Sequence, residues 1–170
     1  TGRYNHGEQA YLSISFHLYQ SHLAAGYLYF DEKIHSQTLL HMVTIGLRMK
    51  AFEWVTQLLT DNTSRILEQA AAPHSYRFNQ ALLDFHKGKL EDALSFLDDT
   101  YHNVYYKLAA RRLEIMIYYE QQSVLLDAKM EAFKVYIFRL SQNDLPIKPK
   151  ALNNSFIDIL RQIAHPKTLG

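Results

Sequence analysis

One pattern returns three times along the 170-residue chain: an amphipathic run, a tight break, an aromatic or aliphatic residue, then a small or aliphatic one three positions on. The clearest copy is Phe85-His86-Lys87-Gly88-Lys89-Leu90-Glu91-Asp92-Ala93-Leu94. Weaker copies are Arg48-Met49-Lys50-Ala51-Phe52-Glu53-Trp54-Val55 and Tyr119-Glu120-Gln121-Gln122-Ser123-Val124-Leu125-Leu126. A recurrence of roughly 35 to 40 residues marks stacked antiparallel helical hairpins, because a hairpin of this kind buries its apolar face only against its neighbours. An all-α fold follows, expected as a right-handed solenoid of about eight helices. No segment sustains period-two alternation, so no sheet is expected.

Helical spacing of apolar residues sets the expected boundaries. A first helix runs from about Glu8 to Ala25 with Tyr11, Ile14, Leu18 and Ala25 in register, and Asp31-Glu32-Lys33 breaks it. The first hairpin, 36–70, starts at Ser36 as N-cap, carries Leu40, Val43 and Leu47, turns at Lys50-Ala51 and returns through Phe52, Val55 and Leu59. Ala70 to Ser75 punctuates the chain, with Pro73 against helix and Ser75 as a cap. The second hairpin, 75–102, holds Phe78, Leu82 and Phe85, a turn at Gly88, then Leu90, Leu94, Leu97 and Tyr101. The third, 104–141, runs through Tyr106, Ala109, Leu113 and Met116. It turns at Gln121-Gln122-Ser123, where without a glycine either a polar residue takes the strain or the turn is more open, and continues through Leu126, Met130, Phe133, Ile137 and Leu140. A linker with Pro146 and Pro149 precedes a terminal helix, 151–165, with Phe156, Ile159, Leu160 and Ile163 on one face. Asp158, Arg161 and Gln162 on its other face suit a capping element.

Composition narrows the function classes. With 48% apolar residues the chain can bury a continuous core. Its 18 basic and 17 acidic residues give a net charge of +1, so no global field recruits a polyanion. There is no Cys, which fits a reducing, cytoplasmic setting. No apolar run has the length of a membrane span. The sequence begins at Thr1, which reads as the C-terminal part of a longer repeat protein. In that case the first helix lacks an upstream neighbour, and Phe16, Tyr19 and Leu23 are expected to form a bare apolar face that drives self-association.

The Gly88 turn with Leu90 and Ala93 resembles the tetratricopeptide repeat, although Arg77, Gln80 and Ala81 stand where that family has a bulky aromatic, a leucine and a glycine. Several stretches are similar to a family of uncharacterised bacterial helical-repeat proteins, usually longer than this chain. They are Phe16 to Tyr19, Val43 to Arg48 with Phe52 to Val55, Phe78 to Ala81, Val104 to Tyr106 with Ala109 to Arg111, Ile117 to Glu120, and Asn154 to Ile157. The resemblance implies a fold and no activity.

Catalytic chemistry finds little support. Nine histidines invite a metal, yet His17 and His22, and His35 and His41, are not spaced to share a helical face, and no Cys or His-Glu-x-x-His is present. Glu91-Asp92 and Asp98-Asp99 are adjacent pairs whose side chains diverge on a helix, and Glu91 and Asp92 suit a helix N-terminus. No nucleophile elbow or glycine-rich phosphate cradle occurs. The chain is therefore expected to be non-catalytic and without cofactor. It is read as a scaffold whose groove binds a protein or peptide partner. In tetratricopeptide geometry the first helix of each hairpin lines the groove, which nominates Gln37, Thr44 and Arg48, then His86, then Arg112, Tyr119 and Glu120. The 12 tyrosines suit such a surface, although doublets such as Tyr105-Tyr106 and Tyr118-Tyr119 also fill spaces between helices. The alternative is single-stranded nucleic-acid binding, for which Lys107, Arg111 and Arg112 would supply a basic strip, diluted by Glu114 and Glu120.

Overall fold

Four helices end in the same way, and this shared ending explains the recurrence. At Gly26, Lys50, Gly88 and Gln122 the backbone takes φ of +77°, +56°, +74° and +50°. In each case the amide of the following residue reaches back to a carbonyl five positions earlier, Tyr27 to His22, Ala51 to Gly46, Lys89 to Asp84 and Ser123 to Tyr118, at 2.8–3.0 Å. The left-handed residue itself bonds three positions back at 3.0 Å. This paired closure satisfies carbonyls that a helix end would otherwise leave open. Glycine occupies two of the four positions, while Lys50 and Gln122 carry the left-handed strain. Gly88 meets nothing within 4 Å of a Cβ placed on it, so only its backbone conformation is at stake. Gly88→Val is expected to destabilise by about 1–2 kcal/mol, read as a lowered midpoint in urea unfolding.

The computed structural model describes residues 2–97, 101 and 103–165. Among them are eight helices and no strand, with two isolated bridges, Phe30 to Lys33 and Ile34 to Ile66. None of the described helices is long and apolar enough to cross a membrane. The chain divides into two compact units, residues 1–97 and 98–170.

The first unit contains α1 (Gly2–Ala24), α2 (Ser36–Arg48), α3 (Phe52–Asn62), α4 (Ala72–His86) and α5 (Leu90–Ser95). Helix α2 packs on α1, α3 and α4, and α4 packs on α3 and α5. The core joins Leu39, Met42, Val43 and Leu47 of α2, Val55, Leu58 and Leu59 of α3, Leu83 of α4, and Ile34 and Ile66 from the connecting segments. Gly46 lies buried in α2 where α3 crosses it: a Cβ there would sit 2.6 Å from Val55 Cγ2 and 2.9 Å from the Trp54 ring. Phe16 stacks edge-on against the same Trp54 ring, centroids 4.9 Å apart.

A clasp holds the start of α2. The Ile34 amide bonds to Arg65 O at 2.7 Å and the Leu67 amide to Ile34 O at 2.9 Å. Next to this bridge, Glu68 Oε2 accepts from the Ser36 amide and Oε1 pairs with His35 Nδ1, both at 2.9 Å. Glu68 thus caps α2 from another part of the chain, and its negative charge suits the positive helix end. Partial burial raises the pKa of this carboxyl, and the bonds from Ser36 and His35 outweigh it, leaving the pKa below the ordinary value of 4.5. A depressed carboxyl pKa contributes stability above the unfolded value, and that contribution is lost as pH falls through the folded one. Glu68→Gln is therefore expected to cost about 1 kcal/mol near pH 7. Unfolding measured at stepped pH should show its difference from the native chain shrinking as pH falls through the lowered Glu68 pKa, below the ordinary 4.5.

The second unit contains α6 (Val104–Glu120), α7 (Leu126–Arg139) and α8 (Ile147–Ala164). Helix α7 packs on both α6 and α8. The core joins Leu108 and Ile115, Leu126, Met130, Phe133 and Ile137, then Leu145, Ile157 and Leu160. Asn103 caps α6 by accepting from the Tyr105 and Tyr106 amides. Arg111 lies over the Tyr136 ring at 4.7 Å with Lys107 beside it at 5.7 Å, and Lys129 pairs with Glu114 at 2.6 Å.

Several local expectations are corrected. Ser36 is the first helical residue and His35 the N-cap, because Glu68 provides the capping oxygen. Pro73 lies in the first turn of α4, where a missing amide costs nothing, so Ser75 is fully buried inside the helix. The second helix of the middle hairpin stops at Ser95, leaving Leu97 and Tyr101 outside it. Pro146 is the N-cap of α8 and Pro149 lies in its first turn, so that helix starts earlier than expected. On α1 the buried side is that of Phe16, Tyr19 and Leu23, which pack inward, while Tyr11, Ile14 and Leu18 are exposed. The face expected to be bare is the covered one. On α8, Asn153, Ile157 and Leu160 turn inward, while Leu152, Ile159 and Ile163 face outward, so the helix does not present a purely polar cap.

Candidate functional site

The nominated groove residues fall in both units. Gln37, Thr44 and Arg48 form one exposed row along α2, together with His41. Gln37 Nε2 and His41 Nε2 are 3.3 Å apart, and the Thr44 hydroxyl donates to Leu40 O at 2.8 Å. His86 is the last residue of α4, its ring edge-on to Phe85 at 5.6 Å, and desolvation pushes its pKa down. These four belong to the first unit. Arg112, Tyr119 and Glu120 belong to α6 of the second.

Arg112 does not line a solvated groove. Its guanidinium donates to Asn153 Oδ1 at 2.5 Å, and Asn153 Nδ2 in turn donates to Pro149 O at 2.7 Å. Asn153 is only 4% exposed, and the burial of Arg112 lowers its pKa. The residue ties α6 to α8. Transferring a groove register from the hairpin turn could not anticipate this, since it depends on which face of α6 the last helix covers.

Tyr119 and Glu120, by contrast, border a cleft of about 580 Å³ in the second unit. Two stretches of the chain, 119–127 and 163–165, build it. The end of α6 contributes Tyr119 and Glu120, the left-handed turn contributes Gln122, Ser123 and Val124, the start of α7 Leu126 and Asp127, and the end of α8 Ile163, Ala164 and His165. The paired closure at Gln122 folds the chain back sharply, so that Val124 and Leu125 project with Val124 96% exposed. Leu126 is buried, and Tyr119 and Ala164 pack against the core, which makes an apolar floor. His165 Nε2 meets Asp127 Oδ1 at 2.9 Å and joins α8 to α7 across it. A second concavity of about 750 Å³ runs along α8 past Asp158, Arg161, Gln162 and His165, where Arg161 is paired with Glu131.

Sequence reasoning missed Val124, Asp127, Ile163 and His165 as cleft residues. The only local signal was the glycine-free polar turn, which marks a strained, projecting loop without showing what faces it. Among the described residues no group of three His, Asp or Glu side chains is placed to hold a metal ion. Glu91 and Asp92 occupy the first turn of α5, where acidic side chains face the positive end of the helix dipole. Asp98 and Asp99 lie outside the described residues.

No protein-family model, curated protein or solved structure matches the chain.

Proposed function

We propose that the chain is a non-catalytic, tetratricopeptide-like scaffold that binds a peptide or protein segment, and that the cleft at the end of α6 is the place where the segment docks. The like closures at Lys50, Gly88 and Gln122 support a repeat origin, since three hairpin turns fall within the period of helical-hairpin repeats. The packing of α2 on both α3 and α4 supports it within the first unit. The observation that carries the binding role is the cleft itself. An apolar floor, a tyrosine, a projecting Val124 and a few polar groups at the mouth are what a peptide pocket needs.

A basic strip for single-stranded nucleic acid gains less support. Lys107 and Arg111 lie over the Tyr136 ring, and Arg112 is bonded to Asn153. The test is selection of a random peptide library on the purified chain, repeated with Val124→Ser and Ile163→Ser together. Both side chains are exposed, so the fold should survive the change. Enrichment that disappears in the variant supports the reading. Enrichment that the variant leaves intact, or salt-sensitive capture of random oligonucleotides in its place, overturns it.

A further inference from the structure

We infer that the cleft recognises a segment carrying a lysine or arginine beside an apolar side chain; this rests on the peptide-binding reading above and adds the sign of the charge selected. The groove residues nominated from sequence include two cations, Arg48 and Arg112, which would favour the opposite charge. Arg112 is engaged with Asn153, and no Lys or Arg lines the cleft among its described residues.

The charged groups at the mouth are carboxylates. Glu120 is exposed at the last position of α6, and Asp127 is exposed in the first turn of α7. Helices α6 and α8 both end at the cleft, and α6 has no basic residue in its last turn. The closure at Gln122 satisfies carbonyls of the α6 end and Arg161 lies in the last turn of α8, so Glu120 and Asp127, more than the helix ends, set the sign of the mouth. Two nearby cations are held elsewhere, Lys129 by Glu114 on α6 and Arg161 by Glu131 on α7. The His165 imidazole faces Asp127, and among the described residues no cation is paired with Glu120. Leu126, Tyr119, Val124 and Ile163 line the same cleft, so it offers both charge and apolar contact. A cation at the mouth with a leucine-sized side chain below it complements both.

The experiment uses three labelled hexapeptide pools, random except for a central Leu-Lys, Leu-Gln or Leu-Glu, titrated against the full chain by fluorescence anisotropy at moderate salt. The Leu-Lys pool is expected to bind on the order of tenfold more tightly than Leu-Glu, with Leu-Gln between them and the difference narrowing at high salt. Glu120→Gln, alone and with Asp127→Asn, should reduce the difference to about twofold or less while helical circular dichroism stays unchanged. Equal binding of all three pools would overturn the charge inference and leave peptide binding standing. A preference for Leu-Glu, or a Leu-Lys preference that survives both substitutions, also overturns it. Binding by none of the pools overturns the peptide-binding reading as well.

Discussion

Gly46→Val lowers the stability of the first unit by about 3 kcal/mol or more, the expected cost of forcing a branched side chain into a filled crossing. The added Cβ alone would lie 2.6 Å from Val55 Cγ2 and 2.9 and 3.0 Å from two Trp54 ring carbons. Val55 is fully buried, and Trp54 is braced by Phe16 at 4.9 Å, so neither can yield without disturbing α1 or the core. Even Gly46→Ala should destabilise, because the clash begins at Cβ and outweighs the ~1 kcal/mol that alanine gains in helix propensity. Urea unfolding checks both variants, with Gly88→Val as the comparison in which only the backbone is strained. A Gly46→Val chain as stable as the native one would mean that α2 and α3 do not cross at this residue.

Arg112→Ala is expected to destabilise the second unit by about 2–3 kcal/mol. It removes a charge-assisted bond and leaves Asn153 Oδ1 without its partner at a site only 4% exposed. Asn153 keeps its own bond to Pro149 O, so α8 still forms and the loss falls on its attachment to α6. Thermal unfolding followed by helical signal, together with hydrogen exchange of α8, would show the effect. Unchanged stability with loss of peptide binding would instead place Arg112 at a binding surface, as the sequence reading had it.

What was legible from sequence is what depends on near neighbours in the chain. Gly88 announces its own left-handed turn because only glycine adopts it without strain. Gln121-Gln122-Ser123 left open a strained polar residue or a wider turn, and Gln122 takes the strain, at φ +50°. The hairpin at Lys50-Ala51 and the buried row Leu126, Met130, Phe133 and Ile137 follow from spacing alone. Proline was misread twice for a local reason: it is hostile inside a helix but welcome in the first turn, and position alone separates the two cases, at Pro73 and at Pro149.

Which face of a helix is covered was harder to read. Helices α1 and α8 carry apolar residues on more than one side, so periodicity offers more than one stripe. The contacts of Phe16 with Trp54 and of Arg112 with Asn153 choose between them. Gly46 was visible in the sequence but unremarkable there, because its need to be glycine comes from the approach of Val55 and Trp54.

An all-helical chain and the hairpin turns around Lys50, Gly88 and Gln122 could be read from the residues alone, since these are matters of backbone preference and short-range hydrogen bonding. Packing in three dimensions divides the chain into two units with separate cores, makes Arg112 a structural tie, and forms a cleft with carboxylates at its mouth where α6, α7 and α8 end or begin. The cleft brings Glu120, Asp127 and His165 together across more than one helix. No local pattern specifies such convergence, because the burial of the core, and not the composition of any segment, sets the angle at which each helix end arrives.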